Sequence, residues 1–181
     1  MKKTISFVFF FCFLSILLFA QNSVYEKNIL AFNVNGVKLG DSFDTFKNKM
    51  PTAYYQRTGD NYRKTYCVDW PLPNVDCGIF EFFDNKLFRI VCCYSDYSIE
   101  KLGGLGPMLE KFIDKYGKFE TIDRVSAFYK GDREFRSINK SVHFWIDKNE
   151  YGKLLVYVTF EDTKTMGNME QKRKQNENFG F

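Results

Sequence analysis

The stretch that most restricts what this chain can become runs from Gly78 to Gly117. Ile79-Phe80-Glu81-Phe82-Phe83 and Leu87-Phe88-Arg89-Ile90-Val91-Cys92-Cys93 are rich in aromatic and β-branched side chains and flank Asp84-Asn85-Lys86. That composition on either side of a polar tripeptide predicts a β-hairpin. A three-residue loop sets Glu81 opposite Arg89, Phe82 opposite Phe88 and Phe80 opposite Ile90, gathering both charges on one face. A two-residue loop would put Glu81 beside Phe88 and Ile90, because a slip of one residue sends every partner to the other face. The three-residue register is therefore expected, with Phe80, Phe82, Phe88, Ile90 and Cys92 facing the core.

A helix is expected after Ser98. Leu105, Met108, Leu109, Phe112 and Tyr116 form one apolar stripe at helical period, which should lie on the core face of the hairpin. Pro107 suits a first turn, where its missing N–H would be unpaired anyway, and Gly117 suits a helix end. Gly103-Gly104 argues against an earlier start.

The rest of the chain arranges itself around this unit. Leu30, Phe32 and Val34 alternate as a short lead-in strand would. A first helix, Asp41–Met50, is capped by Asp41 or Ser42, carries Phe43, Phe46 and Met50 on one side and stops at Pro51. Tyr54 to Arg57 and Tyr62 to Val68 read as a hairpin around Thr58–Asn61, followed by a loop holding Trp70-Pro71-Leu72-Pro73. After the second helix come Phe119–Tyr129, Glu134–Ile138 and a last hairpin, Val142–Ile146 with Leu154–Phe160.

Laying Leu39-Gly40 over Leu105-Gly106 matches Phe43 with Leu109, Phe46 with Phe112, Lys49 with Lys115 and Met50 with Tyr116 without a gap. The hairpins that follow correspond too. The expected fold class is α+β, an antiparallel sheet with helices on one face, built from two tandem α-β-β-β units at about 36–97 and 98–162.

The N-terminus reads as a signal peptide over residues 1–20. Lys2 and Lys3 precede an uncharged apolar run from Ile5 to Ala20, too short for a comfortable membrane span, with a small residue for cleavage before Gln21. The mature protein is then exported, periplasmic or secreted, and membrane-bound only if that segment is retained. Residues 21–162 are long enough for one domain with a sizeable core, and the polar stretch 163–181 is expected to be a flexible tail or a frayed helix. The formal net charge of +4 falls by two when Lys2 and Lys3 leave, so composition gives no reason to expect a nucleic-acid partner.

Four cysteines remain in the mature chain, and an oxidising compartment permits disulfides among Cys67, Cys77, Cys92 and Cys93. Cys67 and Cys77 bracket a Pro-containing connection whose closure would contribute roughly 2–3 kcal/mol. That pairing is preferred. In the expected register Cys93 faces Cys77, which makes Cys77–Cys93 the alternative, while Cys92 and Cys93 point to opposite faces.

Catalytic motifs are not found. His143 is the one histidine, so a zinc site has no ligand set, and neither cofactor nor metal is expected. Glu161-Asp162 and Asp41 with Asp44 read as solvated ends and caps. Gly103-Gly104-Leu105-Gly106 lacks the Lys-Ser/Thr of a phosphate loop and reads as a linker. An extracytoplasmic enzyme using His143 with a cysteine thiol is the alternative function.

The more informative signal is the sheet face away from the helices. If Val142, Phe144, Ile146, Val156, Val158 and Phe160 point to the helices, His143, Trp145 and Tyr157 lie on the other side, with Glu81 and Arg89 on the analogous face of the first half. Tyr54, Tyr62, Arg63, Tyr66 and Trp70 lie nearby in sequence. Tyr, Trp and Arg dominate binding hot spots. The expected function is an exported, non-enzymatic binding protein that uses Tyr54, Tyr62, Arg63, Tyr66, Trp70, His143, Trp145 and Tyr157 on a protein partner, another extracytoplasmic or envelope protein.

With Leu39-Gly40-Asp41-Ser42 and Leu105-Gly106-Pro107 opening the helices, Pro51 and Gly117 closing them and hairpins after each, Val37 to Phe160 resembles two kinds of small exported protein. One is the β-lactamase-inhibitor-protein-like fold with tandem helix-plus-sheet units; the other is the single-unit outer-membrane assembly lipoproteins of the SmpA/OmlA type. The resemblance implies protein binding. No lipid-acceptor cysteine stands at the cleavage site, so membrane anchoring is not implied.

Overall fold

A computed structural model describes residues 24–25, 27–57, 62–123, 133–137 and 141–178, with side chains described outside 119–137 and 176–178. The expected signal peptide, the turn at Thr58–Asn61, the break at Lys130–Asp132 and the last three residues lie outside the described residues. Residues 27–31 form a short helix, α1, where the alternation of Leu30, Phe32 and Val34 predicts a strand. Only Val34 of that trio enters a strand, the two-residue β1 (Asn33–Val34), which pairs with β2 (Val37–Lys38). A period of two over three apolar residues is too short to exclude one helical turn.

Helix α2 (Phe43–Lys49) starts where expected, with Ser42 Oγ accepting from the Thr45 N–H. Strands β3 (Tyr54–Gln56), β4 (Lys64–Leu72), β5 (Val75–Phe83) and β6 (Lys86–Ser95) then run as a meander. Helices α3 (Asp96–Lys101) and α4 (Leu105–Tyr116) follow, and a second meander comprises β7 (Phe119–Asp123), β8 (Arg133–Ser137), β9 (Val142–Lys148) and β10 (Leu154–Glu161). The two meanders join edge to edge through β6 and β10 into one antiparallel sheet, in the order β3-β4-β5-β6-β10-β9-β8-β7. Each half therefore holds four strands after its helix, one more than the sequence predicts.

The loop expected between Val68 and Asp76 is instead a tight turn between two strands that run on past their expected ends. Strand β4 continues through Pro71 to Leu72, with an irregular pairing between Asp69 and Leu72 that removes the need for every ladder donor. Positive φ at Trp70 (51°) and Asn74 (62°) marks the irregularity and the turn. Gly78 permits it: a Cβ there would stand 3.0 Å from both Pro71 Cγ and the Phe80 ring.

The central hairpin combines the two registers that its sequence sets against each other. Asp84 and Asn85 form a two-residue turn, both at positive φ (45° and 64°), as a twisted hairpin prefers. Phe82 consequently pairs with Leu87, not Phe88. An irregularity beyond Phe82 absorbs one residue, and from Glu81↔Arg89 onward the expected register holds, through Phe80↔Ile90 to Cys77↔Cys93. Leu87 joins Phe80, Phe82, Ile90 and Cys92 in the cluster around Phe46, while Phe88, equally buried, lies outside it.

Helices α2, α3 and α4 cover one face of the sheet. Phe46 packs among Phe80, Phe82 and Tyr66 at ring-centroid distances of 5.0, 5.1 and 5.8 Å. In the second half Met108 and Tyr116 of α4 and Ile99 of α3 pack on Val142, Phe144, Val156, Val158 and Phe160. Phe32, Leu39 and Tyr94 touch both clusters and make the core continuous. Gly103 and Gly104, at φ of 91° and 95°, separate α3 from α4, and α4 ends at Gly117 (φ 92°) against the Tyr25 ring.

The polar stretch read as a flexible tail or frayed helix is helical, α5 (Thr163–Asn178). Asp162 caps it, its carboxylate accepting from the backbone of Lys164 and Thr165 and from the Thr165 hydroxyl. It reaches the opposite face of the sheet, with Met166 Sδ 3.3 Å from Arg89 Nη2 and Lys172 over the Phe83 ring. Polarity hides this role because the helix touches the sheet through few residues.

Candidate functional site

Side chains opposite one another in an antiparallel ladder share a face, so the strand registers lay out the second face as a grid. One row across β4, β5, β6 and β10 reads Thr65, Glu81, Arg89, Glu161. The next, ending on β9, reads Cys67, Ile79, Val91, Thr159, His143. The third reads Asp69, Cys77, Cys93, Tyr157, Trp145.

The first row carries a chain of ion pairs. Arg63 Nη1 lies 3.0 Å from Glu81 Oε1, Arg89 Nη1 donates to Glu81 Oε2 at 2.7 Å and Arg89 Nε to Glu161 Oε2 at 2.6 Å. His143 Nε2 closes the chain, 2.8 Å from Glu161 Oε1. Glu161 is 4 % exposed and Glu81 7 %. Burial alone would raise the Glu161 carboxyl, but the hydrogen bond from His143 and the charge of Arg89 outweigh it and hold the group below its ordinary range. Burial likewise opposes the Arg89 charge, and its two carboxylates overcome that.

Three cysteines occupy the second and third rows, and all four described cysteines carry free thiols. Cys77 stands directly across from Cys93, and Cys67 lies diagonal to Cys77 on β4. The Cys67 thiol donates to Gln56 Oε1 at 2.9 Å, and burial pushes it up to about 11. The S–H of Cys93 favours the Cys77 thiolate and pulls Cys77 down, the same contact and burial pushing Cys93 up. Cys92 faces the helix-side core, where burial pushes it up to about 12.

Trp145 and Tyr157 stand side by side on β9 and β10, both half-buried, with Tyr157 also across from Cys93. Tyr54 joins this face at the β3 edge, half exposed, its hydroxyl 3.3 Å from Asp69 Oδ1. Of the eight residues the sequence nominates for binding, Tyr54, Arg63, His143, Trp145 and Tyr157 fall on the second face. Trp70 is exposed at the irregular end of β4, and Tyr62 sits in the turn before that strand. Tyr66 is on the wrong side: its ring packs against Phe43 (4.9 Å), Phe46 and Phe82 in the helix-side core. Counting from β4 by twos would have shown this, since Tyr66 is out of step with Cys67 and Thr65.

His143 is not placed beside a thiol. Its ladder partner is Thr159, which pairs with Val91, so it stands two strands across from β6 and two residues along from Cys93, a lateral separation of about 10 Å. Glu161, read from the sequence as a solvated end, is a buried partner of Arg89 and His143. Its signal was the alternation Leu155, Tyr157, Thr159, Glu161, carried one step further along β10.

A cavity of about 320 Å³ opens beside α1, lined by Ile29, Leu30, Leu39 and Gly40 on one side and by Ser141, Glu161, Asp162 and Thr163 on the other. Both Glu161 oxygens are engaged by Arg89 and His143 and Asp162 caps α5, so its carboxylates serve the fold. No group of side chains among the described residues is arranged to hold a metal ion, and no helix among them is long and apolar enough to cross a membrane. The chain matches no family model, no curated protein and no solved structure.

Proposed function

We propose that this chain is an exported, non-enzymatic binding protein that holds another extracytoplasmic protein against the second face of its sheet. The observation that carries the reading is the Tyr157–Trp145 pair, directly opposed across the β10–β9 ladder on the face away from α2, α3 and α4. Paired aromatics with polar handles bury much area for little lost entropy, which is why they concentrate at hot spots. Beside them the charges of Arg63, Glu81, Arg89 and Glu161 are spent on one another, so the partner surface that fits is apolar or aromatic in place of strongly charged. Export rests on Lys2-Lys3 and the apolar run to Ala20.

A photo-crosslinking residue at position 157, compared with one at Tyr97 on α3, tests this in cells of the source organism. One discrete adduct from position 157 that position 97 does not give, lost when Trp145→Ala is added without loss of folded protein, is expected. Equal labelling from both positions would discard the face as the site.

A further inference from the structure

Cys77 has two sulfur neighbours on the second face and a third cysteine nearby that is kept away from it. Residues directly opposed in an antiparallel pair have Cα atoms about 4.5–5.5 Å apart, inside the roughly 4.4–6.8 Å that a disulfide spans. Cys77 and Cys93 are such a pair, and both are half-buried. Cys67, two residues offset on β4, is also within hydrogen-bond reach of Cys77, but it is buried and its S–H is engaged by Gln56. Cys92 points through the sheet to the helix side.

We propose that Cys77 and Cys93 form a thiol–disulfide exchange site that takes low-molecular-weight disulfides, with Cys77 attacking and Cys93 resolving. The Cys77 thiolate, its proton released to water, attacks one sulfur of the reagent R–S–S–R. A Cys77–S–R bond forms, the reagent's S–S bond breaks, and one R–S⁻ leaves and is protonated. Cys93 then loses its proton and attacks Cys77 Sγ, forming the cross-strand bond and releasing the second R–S⁻. Two electrons pass from the two protein thiols to the reagent, which departs as two thiols.

Several features favour this order. Cys77 is the central sulfur of the three, across from Cys93 and diagonal to Cys67, and both neighbouring thiols favour its thiolate, the form that attacks. Cys93 meets the mixed disulfide without backbone movement, since the ladder already aligns the two Cβ atoms. A bridge between directly opposed strands closes no loop that the β5–β6 hairpin has not closed already, so it adds little to stability and stays reducible. The site does not depend on the docking role of the same face.

The test uses the reduced full-length chain with oxidised glutathione at neutral pH, acid-quenched at intervals and mapped by non-reducing peptide mass spectrometry. Glutathione is expected first on the Cys77 peptide, followed by a Cys77–Cys93 crosslink as that adduct decays. Cys93→Ser should stop the sequence at the mixed disulfide, and Cys77→Ser should slow the first adduct by about tenfold or more. First reaction at Cys67, Cys92 or Cys93, a final Cys67–Cys77 bridge, or reaction no faster at Cys77 than in the urea-unfolded chain would overturn the assignment. The wild-type time course decides this even if a variant fails to fold.

Discussion

Glu161 accepts from Arg89 Nε at 2.6 Å across the seam where β6 meets β10, the one ladder that joins the two meanders. Neither residue's own half supplies the contact, so the ion pair belongs to the joined sheet. Removing one partner of a buried pair leaves the other charge without compensation, which costs more than the pair contributes.

Glu161→Gln should therefore destabilise the protein at neutral pH by about 3–5 kcal/mol. Because the folded state holds the Glu161 carboxyl below its ordinary 4.5, its contribution is complete above that value and is lost as pH falls through the lower folded value. Urea titrations from pH 7 to pH 3 should show the wild-type and Gln proteins converging as the pH drops. A gap that stays constant with pH would mean that the Glu161 charge is not what stabilises the seam.

The hairpin turn makes a different demand. Asn85 sits at φ 64°, where a β-branched side chain crowds its own backbone. Asn85→Val should cost about 1–2 kcal/mol, whereas Asn85→Gly should be neutral or slightly stabilising. Equal midpoints for the two variants would argue for a different turn.

Phe46 and Phe112, which the sequence overlay of the two helices pairs, are buried to different depths. Phe46 is fully buried among three rings, while Phe112 is half-buried against Phe144 at 5.7 Å. Phe46→Ala should cost about 3–5 kcal/mol, and Phe112→Ala clearly less. Chemical denaturation of both, with wild-type spectra confirming the fold, measures the difference.

The cap on α5 separates a docked helix from a loose tail. Asp162→Ala removes three hydrogen bonds to the first turn and should cost about 0.5–2 kcal/mol, with faster amide exchange over Thr163–Met166. Unchanged exchange there would return this stretch to the tail that its polarity suggests.

The overlay of Leu39-Gly40 on Leu105-Gly106 makes a geometric demand. Strands β3–β6 and β7–β10 run from opposite edges of the sheet to the shared β6–β10 seam. An experimental structure in which the halves superpose, with the β5–β6 hairpin on the β9–β10 hairpin, is expected if they arose by duplication, and failure to superpose would remove that origin.

Local chemistry legible in the sequence determined much of this. The stripe from Leu105 to Tyr116, the Ser42 cap and the alternation of Val142–Ile146 each place an element and its buried face, because a period of 3.6 or 2 fixes direction without knowledge of neighbours. The α+β class follows from those faces. What the sequence could not settle were choices between nearly equal local options. The turn at Asp84-Asn85 needed two residues while the Glu81–Arg89 pairing needed the other register, and only the packing of Leu87 against Phe46 and Phe82 selected the irregularity that satisfies both. Pro71 entered a strand because Gly78 leaves room beneath it. Glu161 meets Arg89, and Tyr157 meets Cys93, only because β10 docks on β6. That long-range pairing depends on the apolar area that both meanders bury together, a quantity that no single segment carries.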